Sequence, residues 1–263
     1  MKLARLVEER RDEKLPIVPL PSEREMERRE LLSIYGREVK DRAREINRLH
    51  SIFVKKGITT VAKKNLSTGE GRRKAVQALR GQMLEDAEYL MQHLDLNEKR
   101  IRELKGRIKR EAKADEDMQL LQTIPGVGPV VAYGFVAHVG DGSRFSKGAQ
   151  VGNYLGFVPR LDYSGTVQRE GHITKRGNGY LRGLLVQAAW AAVCSGRKGT
   201  LKERFVYLTA VQGKSKKKTI VSIGRRMAEL MYSVLRNRKK YEARPWMGPG
   251  NEPARLVKQA MSA

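Results

Sequence analysis

Hydrophobic residues recur every seven positions in two long stretches of the first half of the chain. In residues 22–56 one such stripe consists of Leu32, Val39, Ile46 and Phe53. A neighbouring stripe consists of Tyr35, Arg42 and Leu49, in which the arginine interrupts the hydrophobic pattern. Ser22 followed by Glu25 has the form of a capping box, and Gly57 stands where a helix would end. We therefore predict one long helix from about 22 to 56.

The second stretch, about 72–113, predicts another long helix after a polar, glycine-containing loop at 58–71. One of its stripes consists of Met83, Leu90, Asn97 and Leu104, and the other of Ala87, Leu94, Ile101 and Ile108. Heptad spacing sustained over about four repeats is typical of coiled-coil packing. Two arrangements stay open: a helical hairpin that packs on itself, and an arm that pairs with a second copy of the chain. In either one, Asn97 on the seam would fix the register or the oligomeric state.

The pattern changes near residue 115. From 118 onward the chain has many glycines and basic turns, with helices predicted at about 180–193, 200–211 and 218–237. Residues 157–175 alternate extended-type residues with turn signals, which predicts a hairpin or an extended loop. The predicted fold class is mainly α: a long coiled-coil helical hairpin, then a compact helical domain with a helix-hairpin-helix turn and a small β excursion. The predicted segments are 1–20, 21–115, 116–240 and a loose tail, 241–263.

The charge of the chain is strongly positive: 53 lysines and arginines give a formal charge of +24 and a pI near 10.3. Such a surplus attracts polyanions, and contacts to phosphates release counterions, so nucleic acid is the expected partner. The alternative is a ribosome-associated or merely solubilising basic surface. No apolar run approaches the roughly 18 residues of a membrane helix, and the first residues do not form a signal peptide.

Cysteine and metal-ligand residues are sparse. The single cysteine, Cys194, excludes an internal disulfide and fits a reducing cytoplasm. Because it follows the apolar run 188–193, we expect a buried structural thiol. The histidines show no metal-ligand spacing with one another or with Cys194, and from 118 onward the only aspartates are Asp141 and Asp162. We predict no self-contained metal site.

The turn Ile124-Pro125-Gly126-Val127-Gly128 has the form of a helix-hairpin-helix motif. Gly126 and Gly128 would let the backbone approach a phosphate, and amides at the start of the next helix would face the anion. Such a hairpin positions nucleic acid without reading bases. The alternative is a plain turn between two helices.

Ser164, followed by Gly165, stands at the bend of the 157–175 segment and is a candidate nucleophile. A serine hydroxyl needs a base or a cationic site to assist it, and arginines also stabilise charge on a transferring phosphoryl group. The basic residues close to it in sequence are Arg160, Arg169, His172, Lys175 and Arg176. His172 could act as a general acid or base, or make one structural hydrogen bond. The alternative for Ser164 is ordinary turn chemistry.

Two further basic groups point to nucleic acid. Lys175-Arg176-Gly177-Asn178 enters a predicted helix that also carries Arg182, and a glycine turn at a helix N-terminus is suited to phosphate binding. The second group lies near the C-terminus and consists of Lys216, Lys217, Lys218, Arg225 and Arg226. The alternative for the second group is a solvated basic face.

These motifs resemble the insertion-sequence transposases of type one-ten, with relatives typed one-sixteen and nine-oh-two. The matching stretches, in family order and spacing, are Ile124–Pro129, Gly140-Asp141 with Arg144-Phe145, Tyr154–Pro159, Ser164-Gly165, and Gly171–Asn178 with Leu181-Arg182. Lys218–Arg226 matches more loosely, and Arg42–His50 resembles the helix that follows the family's first domain. The resemblance covers nearly the whole chain.

The resemblance implies a transposase mechanism. Family members have an N-terminal RuvC-like domain with four magnesium-binding acidic residues, then a coiled coil and a transposase domain whose serine becomes covalently joined to DNA. Ser164 matches that serine. The resemblance further implies DNA and a bridge RNA as partners, a homo-oligomer formed through the coiled coil with composite active sites, and Mg²⁺ held by residues that this chain lacks.

One departure from the family pattern lies at the start of the chain. Lys2-Leu3-Ala4-Arg5-Leu6 matches a family segment that follows the last acidic pair, yet here it comes directly after Met1. Residues 1–20 would then be the remnant of the end of an RuvC-like domain, and the chain would be N-terminally truncated. Asp12 and Glu13 stand in the wrong place to replace the acids. We therefore expect the chain to bind DNA but to transpose poorly or not at all unaided.

Two other functions stay open on the sequence. A non-enzymatic helix-hairpin-helix protein that binds nucleic acid would keep its function when Ser164 is replaced by alanine. A structural coiled-coil adaptor predicts a weak salt dependence of any DNA binding, whereas the charge predicts a steep one.

Overall fold

The computed structural model describes residues 20–164, 167–195, 199–243 and 246, and for 161–164 and 167–170 the backbone alone. The predicted mainly α fold is confirmed. The helices are α1 (Glu23–Lys55), α2 (Gly69–Val76), α3 (Gln82–Ala114), α4 (Glu116–Leu121), α5 (Pro129–Val139), α6 (Gly148–Tyr154), α7 (Gly179–Cys194), α8 (Thr200–Val206) and α9 (Lys216–Asn237). A 3-10 turn (Asn65–Ser67) precedes α2, and a π-helical turn (Tyr207–Val211) extends α8. Two antiparallel strands, β1 (Pro159–Ser164) and β2 (Val167–Ile173), lie between α6 and α7.

The long helices α1 and α3 pack against each other in opposite directions within one chain. At one end Arg28, only 5% exposed, donates to Asp115 at 2.6 Å and to Glu111 at 3.5 Å. Further along, Arg42 donates to Glu98 at 2.9 Å. The heptad stripes are therefore explained by a hairpin in which α1 packs on α3 of the same chain. Pairing with a second copy stays a prediction.

Both ends of α1 lie close to where the sequence predicted them. The Ser22 hydroxyl accepts from the Glu25 amide and the Glu25 carboxylate accepts from the Ser22 amide, so the predicted capping box forms. Beyond the helix, Gly57 has a φ of +74°, a conformation that L residues rarely adopt. One stripe residue departs from the prediction, because Val39 is 39% exposed.

The prediction of one unbroken helix over 72–113 is wrong. The chain forms the short helix α2, leaves helical geometry after it, and starts again at Gln82 next to Gly81, whose φ is +58°. The break lets Leu79 enter a small core in the hairpin, made of Ile46, Leu49, Phe53, Leu66, Leu79, Ala87 and Leu94. The predicted 58–71 loop likewise ends early, because the Thr68 hydroxyl caps α2 by accepting from the Gly71 amide.

A larger core joins the base of the hairpin to the rest of the chain. Leu31 and Leu32 of α1 and Ile108 and Ala112 of α3 belong to the same buried cluster as α5, α7 and α9. Helix α5 lies at its centre, with buried residues that include Ala132, Tyr133, Phe135, Val136 and Val139. The predicted boundary near 115 therefore stays a prediction.

One further expectation, the burial of Cys194, needs correction. Cys194 is exposed, because α7 keeps one face to solvent at helical spacing, with Gln187, Trp190, Ala191 and Cys194 all at least partly accessible. The described part of the predicted tail makes two hydrogen bonds, from the Tyr241 amide to Thr123 and from the Trp246 amide to Glu203, and the loose tail over 241–263 stays a prediction. Residues 1–19 lie outside the described residues. Within the described residues no helix is long and apolar enough to cross a membrane.

Candidate functional site

Ser164 is the last residue of β1. In the strand register it lies opposite Val167, and Asp162 lies opposite Arg169. Only Gly165 and Thr166 connect the strands, and both lie outside the described residues. At about 3.3 Å per residue, Ser164 lies roughly 15 Å from Pro159, where the hairpin leaves the body of the protein. The hairpin therefore carries the serine at its far end.

The base of the hairpin is held by two glycine turns that fit into each other. Gly156 has a φ of +72°, and a Cβ there would lie 2.0 Å from the carbonyl oxygen of Arg176. Gly177 has a φ of +89°, and a Cβ there would lie 2.2 Å from the carbonyl oxygen of Tyr154. Only glycine permits both the φ and the contact. Thr174 continues the ladder by donating from its amide to the Val158 carbonyl at 2.8 Å.

Two residues predicted to contact DNA have structural roles beside this base. Asn178 caps α7, because its Oδ1 accepts from the amides of Tyr180 and Leu181. Its side-chain nitrogen lies 2.8 Å from Nε2 of His138. Arg182 donates from Nη1 to the Leu155 carbonyl at 2.9 Å. DNA contacts by Asn178 and Arg182 stay predictions, and both side chains already fasten α7 to neighbouring segments.

The other basic residues around the serine spread along the hairpin. Arg160 and His172 lie on the strand halves near the base. Lys175 and Arg176 lie in the connection to α7, where Lys175 has a φ of 55° and Arg176 is exposed. Because His172 lies roughly 15 Å along the hairpin from Ser164, it is out of reach for proton transfer to that serine. The side chain of Arg169 lies outside the description.

The turn at 124–128 divides into a packed half and an open half. Gly126 has a φ of +85°, and a Cβ there would lie 2.2 Å from the Ala188 carbonyl oxygen of α7. Ile124 and Val127 are buried in the main core. Gly128, by contrast, precedes α5, and a Cβ there would meet no described atom within 4 Å. Close packing on α7 explains why the first position is a glycine, and phosphate contact at Gly126 and Gly128 stays a prediction.

The C-terminal basic group consists of three exposed lysines and two arginines that bind a carboxylate. Lys216, Lys217 and Lys218 are exposed in the first turn of α9. Further along that helix, Arg225 and Arg226 both donate to the Glu229 carboxylate, at 3.2 and 2.9 Å. Next to this helix lies Arg204 of α8, whose Nε is buried without a hydrogen-bond partner among the described residues. The sequence analysis missed Arg204, since a single arginine in an amphipathic helix gives no signal.

Several carboxylates in the described part of the chain are engaged by cations or caps. Asp115 binds Arg28, Asp117 contacts Arg238, and Asp141 accepts from the Ser143 amide at 2.8 Å. Hydrogen bonding to Ser143 is the main reason why the pKa of Asp141 is lowered. No three His, Cys, Asp or Glu residues of the described ranges lie together as a metal site. The described donor set therefore does not fit the magnesium ion that the family resemblance implies.

Comparison with known proteins finds similarity over the segment that contains these motifs. Residues 118–205, which run from α4 into α8 and include the hairpin, match the transposase IS116/IS110/IS902 family. These residues are thus similar to a domain of that transposase family. The match covers the 124–128 turn, the interlocking glycines and Ser164.

Similar proteins bear transposase names, and one bears a DNA-inversion name. A probable family 20 transposase of Pseudomonas aeruginosa is 32% identical over 156 residues, which is 59% of this chain and 45% of that protein. The transposase of insertion sequence element IS1111A from Coxiella burnetii is 32% identical over 134 residues, 51% of this chain and 37% of that protein. A pilin gene-inverting protein of Moraxella bovis is 32% identical over 126 residues, 48% of this chain and 38% of that protein. The chain thus spans less than half the length of these curated relatives.

Proposed function

We propose that this chain takes part in the cutting and joining of DNA strands as an insertion-sequence transposase, with Ser164 as the nucleophile. The observation that carries the proposal is the place of Ser164 at the end of β1, next to a two-residue connection, within the stretch that matches the transposase family. A residue at the far end of a hairpin can enter a DNA groove without the body of the protein following it. The firmly packed base of the hairpin supports this role, since it orients the strands.

The proposed reaction is a transesterification at phosphorus. The Ser164 Oγ attacks a backbone phosphate, the bond between phosphorus and the leaving deoxyribose oxygen breaks, and a phosphoserine link forms. The serine loses its proton and the leaving oxygen takes one up as a free hydroxyl, so no oxidant or water is consumed. Attack by that hydroxyl, or by one from another strand, reverses the step and joins DNA. Cations beyond the base of the hairpin, such as Lys175 and Arg176, would hold phosphates further along the DNA backbone.

The proton acceptor for Ser164 comes from outside the base of its own hairpin in this proposal, because His172 lies too far along the strands. A second subunit is a candidate source, in keeping with the composite sites that the family resemblance implies. We further propose DNA and a bridge RNA as partners, a homo-oligomer, and Mg²⁺ bound by residues other than those described.

The experiment traps the covalent intermediate. The chain is incubated with Mg²⁺, with labelled DNA that carries the ends of the element, and with a full-length family member that supplies the acidic residues and whose own nucleophilic serine is replaced by alanine. The products are run on a denaturing gel. The expected result is a slow band of protein joined to DNA for the native sequence and its absence in Ser164→Ala, with equal binding of both proteins to uncleaved DNA. Tyr163→Phe is the matched control, because it removes the neighbouring hydroxyl and should keep the band.

The outcomes separate the candidate functions. Loss of the band in Tyr163→Phe and its survival in Ser164→Ala would overturn the assignment of the nucleophile. DNA binding with no covalent band in any protein would favour the non-enzymatic binder. The first alternative moves the chemistry to another hydroxyl, and the second removes it from this chain.

A further inference from the structure

A cavity of about 440 Å³ opens at the N-terminus of α9, next to α8. Its polar lining consists of Arg204, Lys214, Ser215, Lys218, Thr219 and Ser222. No carboxylate of the described residues lines it. The volume exceeds that of a single water molecule many times over, so it has room for a polyatomic anion.

Two polar groups of this cavity lack partners. Thr219 is only 3% exposed, and its Oγ1 makes no hydrogen bond within the described part of the chain. The Nε of Arg204 is also buried and makes none, and within the described ranges no ion pair to Arg204 is found. Buried polar groups in proteins are almost always hydrogen-bonded, so two unpartnered groups that line one cavity are typical of a ligand-binding site.

The neighbours of Arg204 indicate that this cavity favours an anion. Its guanidinium is partly buried. Among the described residues Glu229 is the one carboxylate with which it interacts electrostatically, and that carboxylate already binds Arg225 and Arg226. Burial first, and then the charge of Arg226, lowers the pKa of Arg204. An arginine side chain nevertheless stays protonated in proteins, so within the described structure this is a cation without a counterion of its own.

The backbone adds donors of the same kind. Ser215 precedes α9 without a side-chain cap, and the first amide to bond inside the helix is that of Thr219, which donates to the Ser215 carbonyl. The amides of Lys216, Lys217 and Lys218 precede this bond, and such first-turn amides carry the positive end of the helix dipole. An anion in the cavity would meet these amides together with the two unpartnered side-chain groups.

We propose that this cavity binds one phosphate of a nucleic-acid backbone, held by Arg204, Thr219 and the first turn of α9. The proposal rests on nucleic-acid binding by the chain and is independent of the chemistry at Ser164. The phosphate chemistry is shared by DNA and RNA, and the test distinguishes them.

The test compares two shape-conserving variants with the native protein. Thr219→Val replaces a buried, unpartnered hydroxyl by a methyl group, so the thermal midpoint should stay the same or rise while affinity for nucleic acid falls several-fold. Arg204→Met removes the charge and keeps most of the volume. Its affinity should fall, and the slope of log K against log salt should become shallower by about 0.9 for a DNA duplex. Lys74→Met, on the exposed face of α2, is the charge-matched control and should leave the slope unchanged.

Binding is measured with a DNA duplex and an RNA hairpin at several salt concentrations. A loss confined to one probe assigns the phosphate to that nucleic acid, and a loss with both supports the shared chemistry. Native affinity and slope in both Arg204→Met and Thr219→Val would overturn the cavity proposal and leave the Ser164 proposal standing. If the native protein binds neither probe, both proposals fail. If the native protein binds and the variants bind less, while Ser164→Ala still forms the covalent band, only the Ser164 proposal fails.

Discussion

The side-chain nitrogen of Asn178 lies 2.8 Å from Nε2 of His138, and this contact ties the cap of α7 to the end of α5. The Asn178 oxygen already accepts from two backbone amides, so the nitrogen must face the histidine. Since that nitrogen can only donate, Nε2 must accept, and the ring proton stands on Nδ1. If His138 were protonated, its Nε2–H and the Asn178 side-chain N–H would both be donors and could not hydrogen-bond to each other.

The first prediction concerns pH. Burial, followed by the charges of Arg29 and Arg144, lowers the pKa of His138 from 6.5 to about 4. Between these values the unfolded chain binds more protons than the folded one, so stability rises with pH across this window and falls as the solution is acidified. We expect the free energy of unfolding of the native protein to be lower at pH 5 than at pH 7, measured by urea denaturation.

The variant His138→Gln keeps an acceptor for Asn178 and removes the titration, so its change between pH 5 and pH 7 should be smaller. His93→Gln is the matched control, because that ring is exposed on α3 beside Tyr89 and should leave the native change intact. An equal change in His138→Gln and the native protein would contradict the account.

The second prediction concerns the interlocked glycines. Gly177→Ala would strain a φ of +89° and place a Cβ 2.2 Å from the Tyr154 carbonyl oxygen. Strain of this kind costs about 1–3 kcal/mol, and the backbone contact adds to it. We expect a lower free energy of unfolding by urea and a displaced hairpin. Gly183→Ala is a control with the opposite expected effect. Gly183 lies in α7 and an added Cβ would meet no described atom within 4 Å, so the change should raise the free energy of unfolding by roughly 0.5–1 kcal/mol. A neutral Gly177→Ala would refute this role.

The third prediction concerns the ion pairs that join Arg72 of α2 to α3. Arg72 is 1% exposed and donates to Glu98 and Asp95 at 3.0 and 2.9 Å. Burial alone would raise the pKa of Glu98, but hydrogen bonds from Arg72 and Arg42 outweigh it and lower that pKa. Arg72→Ala leaves a cavity and removes one of the two arginines that bind Glu98, so we expect a loss of about 2–5 kcal/mol.

The measurement is again urea denaturation at pH 7, and the control is Lys74→Ala in the same helix. Lys74 pairs with Glu70 at 2.6 Å, but both side chains are more than 70% exposed. Exposed pairs contribute about 0–1 kcal/mol, so the control should change stability little. A loss in Arg72→Ala no larger than that of the control would contradict this assignment.

The sequence predicted local features well and long-range ones poorly. Helix α1 begins where its capping box stands, because a cap depends on residues three apart. The break before Gln82 depends on Leu79 entering a core that α1 helps to build, which heptad spacing cannot reveal. The glycines of the 124–128 turn and of the hairpin base pointed to phosphate contact. Gly126 and Gly177 also allow two backbones to meet, and their partners, Ala188 and Tyr154, lie in other segments of the chain, while phosphate contact stays a prediction.

The candidate site shows the same division. The family motifs marked Ser164 and the segment around it, and the strand register agrees with a hairpin there. His172 is close to Ser164 in sequence but not in space, because each residue of an extended strand adds about 3.3 Å to the distance between them. Arg204 and Thr219 gave no signal in the sequence, since what marks them is the absence of a partner among the described residues after folding.

The last prediction separates structural arginines from those that contact nucleic acid. The Arg182 guanidinium donates to the Leu155 carbonyl, and thus ties α7 to the turn that follows α6. Arg182→Ala should therefore lower the thermal midpoint, while the slope of log K against log salt for DNA binding stays as in the native protein at a temperature where both are folded. Arg176→Ala should show the reverse, because Arg176 is exposed in the predicted phosphate-binding turn: an unchanged midpoint and a slope shallower by about 0.9. A shallower slope for Arg182→Ala with an unchanged midpoint would mean that this side chain leaves the Leu155 carbonyl to bind phosphate.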